Sequence, residues 1–473
     1  MRIWIDVEDL FHYAAHVSRP SGIQRLAFEL QRAMVDLAPE EVHFVRHTAS
    51  GKGFKTVSFS EIDALFTNLS KPSASAKPQP PRIEGTLPLP PRASLARRIG
   101  RRLMALLPLE VAGPLRHFRA HQVEALRGLR YTAHACFRRA LPKKRAHLPV
   151  NISGRDYEES RETFDSAAAP GDWLLCVGSP WFAKDYGGLV GSVCAHHGLR
   201  FALLVYDIIP LRRPEWCDKS LVSTFSAWFH SVAPLADRIL AISRTTAEDT
   251  EKYAAETSLR LRSRIQPIPL GTGFGQPPAP LRSPRLPPPG SFALIVSTIE
   301  ARKNHALLLR IWRELLATMP REHVPTLVFA GRVGWLVADL MQQLENANWL
   351  DGKVRLIEAP SDGELAALYE DCLFTLYPSL YEGWGLPVTE SLAHGTPCLA
   401  ANATSLPEAG GTLARYFDPD NLHDAVRAVR EVLDDPAALG AWRTEIQQNF
   451  RPASWSESAA ATLRILRAPG GAC

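Results

Sequence analysis

Residues Tyr377 to Pro397 read YPSLYEGWGLPVTESLAHGTP. Two acids, Glu382 and Glu390, flank a turn made of Gly383-Trp384-Gly385 and closed by Leu386-Pro387. The run Cys372 to Tyr377 before it reads as a buried strand ended by Pro378, and Val388 to Ala393 after it as a helix stopped at His394-Gly395. Strand, glycine turn and helix start are the parts of a phosphate-facing site. Glycines let backbone approach a ligand, and the helix N-terminus turns unpaired N–H groups and partial positive charge toward it. A carboxylate just inside that helix, Glu390, is placed to accept hydrogen bonds from two vicinal hydroxyls such as those of a ribose. The plainer alternative is a βα turn in which Glu390 is a helix-start acid favoured by the dipole.

The rest of the chain sets the frame. At 473 residues it has room for two domains and a large core. Hydrophobic residues at 46% and charged residues at 22% are those of a soluble globular protein. No stretch is long and apolar enough for a membrane span, and MRIWIDVEDLF carries acids where a secretion signal needs a basic start. The seven cysteines are scattered, with none in a CxxC pair, which points to a reducing cytoplasm and away from a zinc or disulfide framework. The net charge of +5 is uneven. Residues 91–150 hold 14 Lys/Arg against Glu110 and Glu124, a local +12 that leaves −7 for the remainder.

In chain order, Arg2 to Val7 reads as a first strand. Ser21-Gly22-Ile23-Gln24-Arg25 then opens an apolar helix through Leu26, Phe28, Leu30 and Met34. Gly22 lets this loop approach a ligand phosphate with Arg25 facing it. The alternative is an ordinary helix capped by Ser21, with Arg25 in solvent. Lys71 to Pro91 is a Pro/Ser-rich linker by composition. SLARRIGRRLMALLPLEV follows with apolar residues at helical spacing between arginines. Two readings of this segment stand: adsorption to an anionic membrane surface through residues 91–147, or a solvated helical insert. No nucleic-acid-binding motif accompanies it.

Regular α/β alternation resumes at Asp172. Strands are expected at Trp173–Val177, Arg200–Tyr206 and Arg238–Ile242, the last two ending in Asp207 and Ser243. Ligands of doubly wound sheets sit outside the carboxyl ends of strands, so both residues are candidates to line a cleft. Their alternatives are a turn Asp and a helix-cap Ser. Gly275 to Gly290, GQPPAPLRSPRLPPPG, marks a hinge. A second α/β half begins at Phe292 with strand, then Ser297-Thr298-Ile299-Glu300-Ala301-Arg302-Lys303-Asn304 and a helix. Strands at Thr326–Ala330, Val354–Ile357 and Cys398–Ala400 follow, the second after Gly331-Arg332-Val333-Gly334-Trp335. The expected division is a first Rossmann-like domain over 1–275 with a basic helical insert at about 71–150, a second over 290–450, and a last helix within 451–473 crossing back to the first.

This joint pattern resembles the retaining glycosyltransferases of family 4, whose fold (GT-B) is two Rossmann-like α/β domains facing across a cleft. The family's Glu-x7-Glu motif is matched by Glu382-GWGLPVT-Glu390. STIEARKN resembles the donor-diphosphate segment of its mannosyl- and rhamnosyltransferase-like members, many other members carrying Arg at the position of Thr298. Gly331 to Trp335, Tyr377-Pro378-Ser379, Ser405-Leu406-Pro407-Glu408, Gly22-Ile23-Gln24-Arg25 and Tyr206 to Pro210 are similar to the same subgroup. The likeness is dense over 292–445, patchier over 1–30 and 172–275, and absent from about 48 to 165. Tyr206 stands where many relatives have His.

The resemblance implies transfer of a hexose from a nucleotide sugar to a hydroxyl of a glycan or lipid-linked glycan, with retention, in bacterial surface polysaccharide synthesis. GDP-mannose is favoured over dTDP-rhamnose and UDP-sugars. It implies no cofactor and no metal, and a cytoplasmic chain peripheral to the inner membrane. Glu382, Lys303, Arg302 and Asp207 are the implied catalytic set. Glu390, Gly383, Trp384, Gly385, Leu386, Gly22, Thr298, Gly331 and Arg332 fall to the donor, and Tyr206, Asp207, Ser243 and Arg25 to the acceptor side. The competing class is a catalytically silent nucleotide-sugar-binding scaffold of a polysaccharide synthase, which a degenerate site would favour.

Overall fold

The computed structural model describes residues 1–15, 20–70, 163–273 and 279–469. The basic segment expected at about 71–150 lies outside the described residues, as do Cys136 and Cys473.

Two sheets organise the chain. The first holds β1 (Ile3–Asp6), β2 (Val42–His47), β3 (Phe54–Val57), β4 (Trp173–Cys176), β5 (Arg200–Val205), β6 (Arg238–Ala241) and β7 (Ile265–Pro267), in the order β3-β2-β1-β4-β5-β6-β7. All neighbours are parallel except the edge strand β3, antiparallel to β2. The second holds β8 (Phe292–Val296), β9 (Thr326–Ala330), β10 (Val354–Ile357), β11 (Thr375–Tyr377), β12 (Cys398–Ala401) and β13 (Arg415–Phe417), in the order β10-β9-β8-β11-β12-β13 and wholly parallel. Each order reverses once, between β1 and β4 and between β8 and β11. The crevice at such a reversal, beyond the strands' carboxyl ends, is where this architecture binds ligands. The expected α/β fold of two Rossmann-like halves is the one observed.

Strands buried on both faces require helices on both faces, and the residues alternate accordingly. Ile3, Ile5, Leu175 and Leu204 face one core of the first half, and Trp4, Leu174, Cys176 and Leu203 face the other. In the second half Ala293, Ile295, Leu327 and Phe329 oppose Phe292, Leu294, Val328 and Ala330 in the same way. β2, β3 and the helix Phe59–Ser70 were not singled out from sequence; β3 is a short edge strand with half-exposed Thr56 and Val57, and carries little periodic signal. β11 begins at Thr375 rather than Cys372, because the helix Asp362–Asp371 runs up to that cysteine.

Composition reads Gly275 to Gly290 as a hinge between the halves, and its described part, 279–290, is tied to the second half. Arg282 forks onto Asp371 at 2.8 Å through Nε and Nη2, and Arg285 Nε donates to Glu364 at 2.7 Å. Arg285 holds the Glu364 carboxyl far below the usual carboxylate range.

The helix Trp455–Arg467 follows the second half in sequence but packs on the first, against the helix Gly22–Leu37. Its residues Ala459, Leu463 and Leu466 complete the first half's core. Trp173 in β4 donates its Nε1–H to the Leu466 carbonyl at 2.9 Å, and Trp455 Nε1 reaches the Gly273 carbonyl at 2.7 Å. Leu466→Ala is expected to destabilise the first half by about 2–5 kcal/mol, the range for deleting a buried Leu side chain. Urea denaturation followed by tryptophan fluorescence checks this, and an unchanged midpoint would mean that the helix is not part of that core.

Candidate functional site

The short 3-10 turn Ala301–Lys303 follows β8 and puts two cations at the carboxyl edge of the second sheet. Asn304 then takes a left-handed conformation (φ 57°) and starts the helix His305–Thr318. Asn tolerates this conformation because its short polar side chain bonds locally. Arg302 is largely buried. Its Nη1 donates to Glu382 Oε2 at 2.6 Å and to the Tyr381 carbonyl at 2.7 Å, and its Nη2 to Glu300 Oε1 at 2.7 Å. Lys303 Nζ donates to the other Glu382 oxygen, Oε1, at 2.5 Å. One carboxylate therefore bridges both cations.

The charges tune each other. Burial pushes the Glu382 carboxyl up, but the pull of Arg302 and Lys303 exceeds it and holds the group at about 2. Burial lowers Lys303, and Arg302 beside it adds to the fall against the opposing carboxylates. Burial also opposes the Arg302 charge, yet Glu382, Glu300 and Asp207 keep the guanidinium more firmly protonated than usual. Asp207, just past β5 in the first half, is raised by burial, with Arg302 the main counterweight. Its Oδ1 accepts the Ile209 N–H at 3.0 Å.

The loop carrying Glu382 is braced from behind. The Glu382 N–H donates to Thr404 Oγ1 at 2.9 Å, and Ser405 Oγ donates to the carbonyls of Glu382 (2.9 Å) and Trp384 (2.7 Å). Gly385 sits at φ 119°, and Pro387 stands in the first turn of the helix Leu386–Ala393. Trp384 is half-buried and packs against the cores of both halves, and Leu386 packs against that of the first. Glu390, half-buried on that helix, accepts the Tyr369 hydroxyl at Oε2 (2.8 Å). Tyr369 in turn stacks on His394 at 5.1 Å between centroids. Burial raises the Glu390 carboxyl, and the Tyr369 hydroxyl and Arg25 pull it part of the way back.

The two halves touch at this loop. A Cβ on Gly383 would lie 2.2 Å from the Tyr206 carbonyl, so the glycine is required where the first half's backbone approaches. Thr246 Oγ1 donates to the carbonyls of both Tyr206 (3.3 Å) and Gly383 (3.2 Å). Tyr381 bonds Asp249 through its hydroxyl. Glu408 accepts the backbone N–H groups of Arg244 (2.8 Å) and Thr245 (3.2 Å), an anion from the second half at the N-terminus of the first half's helix Arg244–Glu256.

Several sequence-assigned residues sit differently from their assigned places. Tyr206 is buried with its hydroxyl on the Val177 carbonyl, so its side chain is held by the fold. Ser243 is the helix cap of its alternative reading, accepting the Thr246 N–H at 2.9 Å. Arg25 pairs with Asp362 at 3.4 Å and acts on Glu390, which places it on the Glu390 side of the cleft, away from the acceptor-side group. Gly331 (φ 151°) leaves no room for a side chain, since a Cβ would lie 2.0 Å from the Ser297 carbonyl. Gly22 has open space, and Ser21 bonds Gln24 instead of capping the helix. Thr298 and Arg332 flank Ile299, whose N–H bonds the Arg332 carbonyl at 2.9 Å, and Arg332 is exposed. Glu300 and Tyr369 were missed. An acid beside two bases in sequence reads as simple neutralisation, and a tyrosine 21 positions before Glu390 has no spacing signal toward it. Among the described residues no group of three or more His, Cys, Asp or Glu is placed to hold a metal ion, and no helix is long and apolar enough to cross a membrane.

Residues 282–451 match the family described as Glycosyl transferases group 1. The chain is 30% identical over 288 residues to the Serotype-specific mannosyltransferase WbdA of Escherichia coli, covering 56% of this chain and 33% of that protein. It is 28% identical over 303 residues to the O-antigen chain mannosyltransferase B of Escherichia coli, covering 59% and 70%. The matched part thus spans about a third of the length of WbdA. Among solved structures, Anabaena Alr3699/HepE in complex with UDP aligns over 62% of this chain and 79% of that one, at 15% identity and a TM-score of 0.46.

The bridged carboxylate has a pH signature. Glu382 sits at about 2 in the folded chain against 4.5 ordinarily, so it adds stability that is complete above 4.5 and lost as pH falls toward 2. The stability difference between wild type and Glu382→Gln is expected to be flat near neutrality and to shrink below 4.5. A difference independent of pH across that window would show that the carboxylate is not held by the two cations.

Proposed function

We propose that this chain, whose residues 282–451 form a group 1 glycosyl transferase domain, moves a hexose from a nucleotide sugar to a glycan hydroxyl with retention of anomeric configuration. Mannose from GDP-mannose is the first donor to test, since the relatives above are named mannosyltransferases. The observation that carries the reading is the convergence of Arg302, Lys303, Glu382 and Asp207 where the carboxyl edges of the two sheets meet.

In this reading Glu390, with Oε2 fixed by Tyr369, offers Oε1 to the ribose hydroxyls. The diphosphate lies along the Lys303 side of the cluster. Its negative charge replaces Glu382 as the partner of Lys303, whose ammonium burial disfavours and anions support. Arg302 keeps its carboxylate and carbonyl partners and acts as the fixed positive background. Glu382, released on one side, turns to the sugar. As the anomeric carbon's bond to phosphate breaks, the acceptor oxygen bonds that carbon on the same face. The acceptor's proton passes to the departing phosphate. Asp207 positions the acceptor hydroxyl.

The finer partner and location are part of the same proposal: a cytoplasmic chain that meets a lipid-linked acceptor at an anionic membrane through residues 91–147. What supports this is the local charge of +12 over 91–150.

Two tests follow. GDP-mannose is expected to raise the thermal midpoint more than UDP- or dTDP-sugars do, because a ligand bound only to the native state stabilises it by mass action. Glu390→Ala should abolish that shift while leaving the unliganded midpoint near wild type. No shift with any nucleotide sugar overturns the donor assignment. For the membrane, full-length chain should sediment with anionic vesicles in a salt-sensitive way and lose this on deletion of 91–147. Equal sedimentation after deletion returns the segment to a solvated insert.

A further inference from the structure

We infer that the cavity beside Asp207 is a subsite for one pyranose ring of the acceptor, roofed by Trp335 from the second half; this rests on the transferase reading above. The cavity encloses about 240 Å³ and includes Asp207 and Arg302 in its wall. Elsewhere its lining is chiefly aromatic and aliphatic, with Trp181, Phe225 and Trp228 as one side. These three rings pack on one another at centroid distances of 5.2–5.5 Å, which makes that side rigid. Trp216 lies on the wall with the Arg213 guanidinium 3.7 Å over its ring.

Trp335 closes the arrangement from across the domain junction. It is 45% exposed, unusual for so large an apolar ring, yet it is fixed. Its Nε1 donates to the Trp216 carbonyl at 2.9 Å. Its loop is laced to the cation loop, the Gly334 N–H bonding the Ile299 carbonyl at 2.8 Å. The cation site and the cavity roof therefore belong to one rigid piece of the second half.

The lining selects the occupant by chemistry. A pyranose carries hydroxyls around its edge and C–H groups on its faces. Aromatic walls suit the faces, and one carboxylate suits an edge hydroxyl. Asp207 Oδ1 is taken by the Ile209 N–H, while Oδ2 accepts no hydrogen bond among the described residues. An alkyl chain would bury that oxygen without a donor, at the cost of an unmet polar group. A phosphate would find Arg302 as the one cation of the described lining, three of whose five N–H donors already serve Glu300, Glu382 and the Tyr381 carbonyl, and would have to lie beside the Asp207 carboxyl. A ring with a hydroxyl edge meets both requirements.

The test is binding of a panel of methyl hexopyranosides and octyl mannoside to the full chain loaded with GDP, read by saturation-transfer NMR and titration. Ring-proton signals from at least one methyl pyranoside are expected. Trp335→Ala should weaken that binding about tenfold, as truncation of an aromatic anchor does, with GDP affinity unchanged. Trp335→Phe, which keeps an aromatic face but loses the indole N–H bond to Trp216, should retain more of it than Trp335→Ala does. The subsite is overturned if no pyranoside binds, if Trp335→Ala binds it as wild type does, or if only the octyl chain receives saturation. A wild-type chain that binds none of GDP, UDP or dTDP removes the transferase reading itself, and the subsite with it.

Discussion

One carboxylate between two buried cations governs the centre of this molecule. Arg302 and Lys303 cannot lie largely buried and adjacent without an anion, because each would raise the other's charging cost. Glu382 supplies it, and to do so the loop after β11 must reach the turn after its neighbour β8. That requirement fixes the Thr404 and Ser405 braces behind the loop, the glycine at 383 and the contact with Tyr206 in the other half. Removing one member of such a buried group typically costs about 3–5 kcal/mol, mostly from the charges left unpaired. The cluster is therefore held together by mutual need.

The same compensation separates the acids of the cleft. Glu382 faces two cations and stays ionised far into acid. Asp207 and Glu390 have fewer opposing charges, and burial raises both. Three carboxylates in one cleft thus have three characters: an acid kept ionised by two cations, a junction acid beside an aromatic cavity, and a hydroxyl acceptor bonded by Tyr369.

Much of this was legible in the sequence, for physical reasons. Parallel strands buried on both faces are near-continuous apolar runs, so β5, β8 and β9 could be placed to within a residue or so. The acids of the 377–397 stretch and the cations of 297–304 were readable because strand, turn and helix start follow one another locally. What sequence withheld is what depends on distance in three dimensions. Glu382 as the partner of both Arg302 and Lys303 joins residues about eighty positions apart. Gly383 was read as room for a phosphate, and the space belongs to the Tyr206 carbonyl. Ser243, Tyr206 and Arg25 sit at strand ends or helix starts as expected, but their side chains serve a cap, a core carbonyl and the Glu390 side. Trp216 and Trp335 carry no motif and meet only through the fold.

The return of the last helix to the first half has a mechanical consequence. Because Trp455–Arg467 is sewn into the opposite core, the backbone passes between the halves twice, once before β8 and once before Trp455. A body tethered at one point can swivel freely, whereas one tethered at two can turn only about the line joining them. The second crossing thus restricts how the halves can turn against each other. On such a turn the Trp335 roof and the Lys303 site move together, since both belong to the second half.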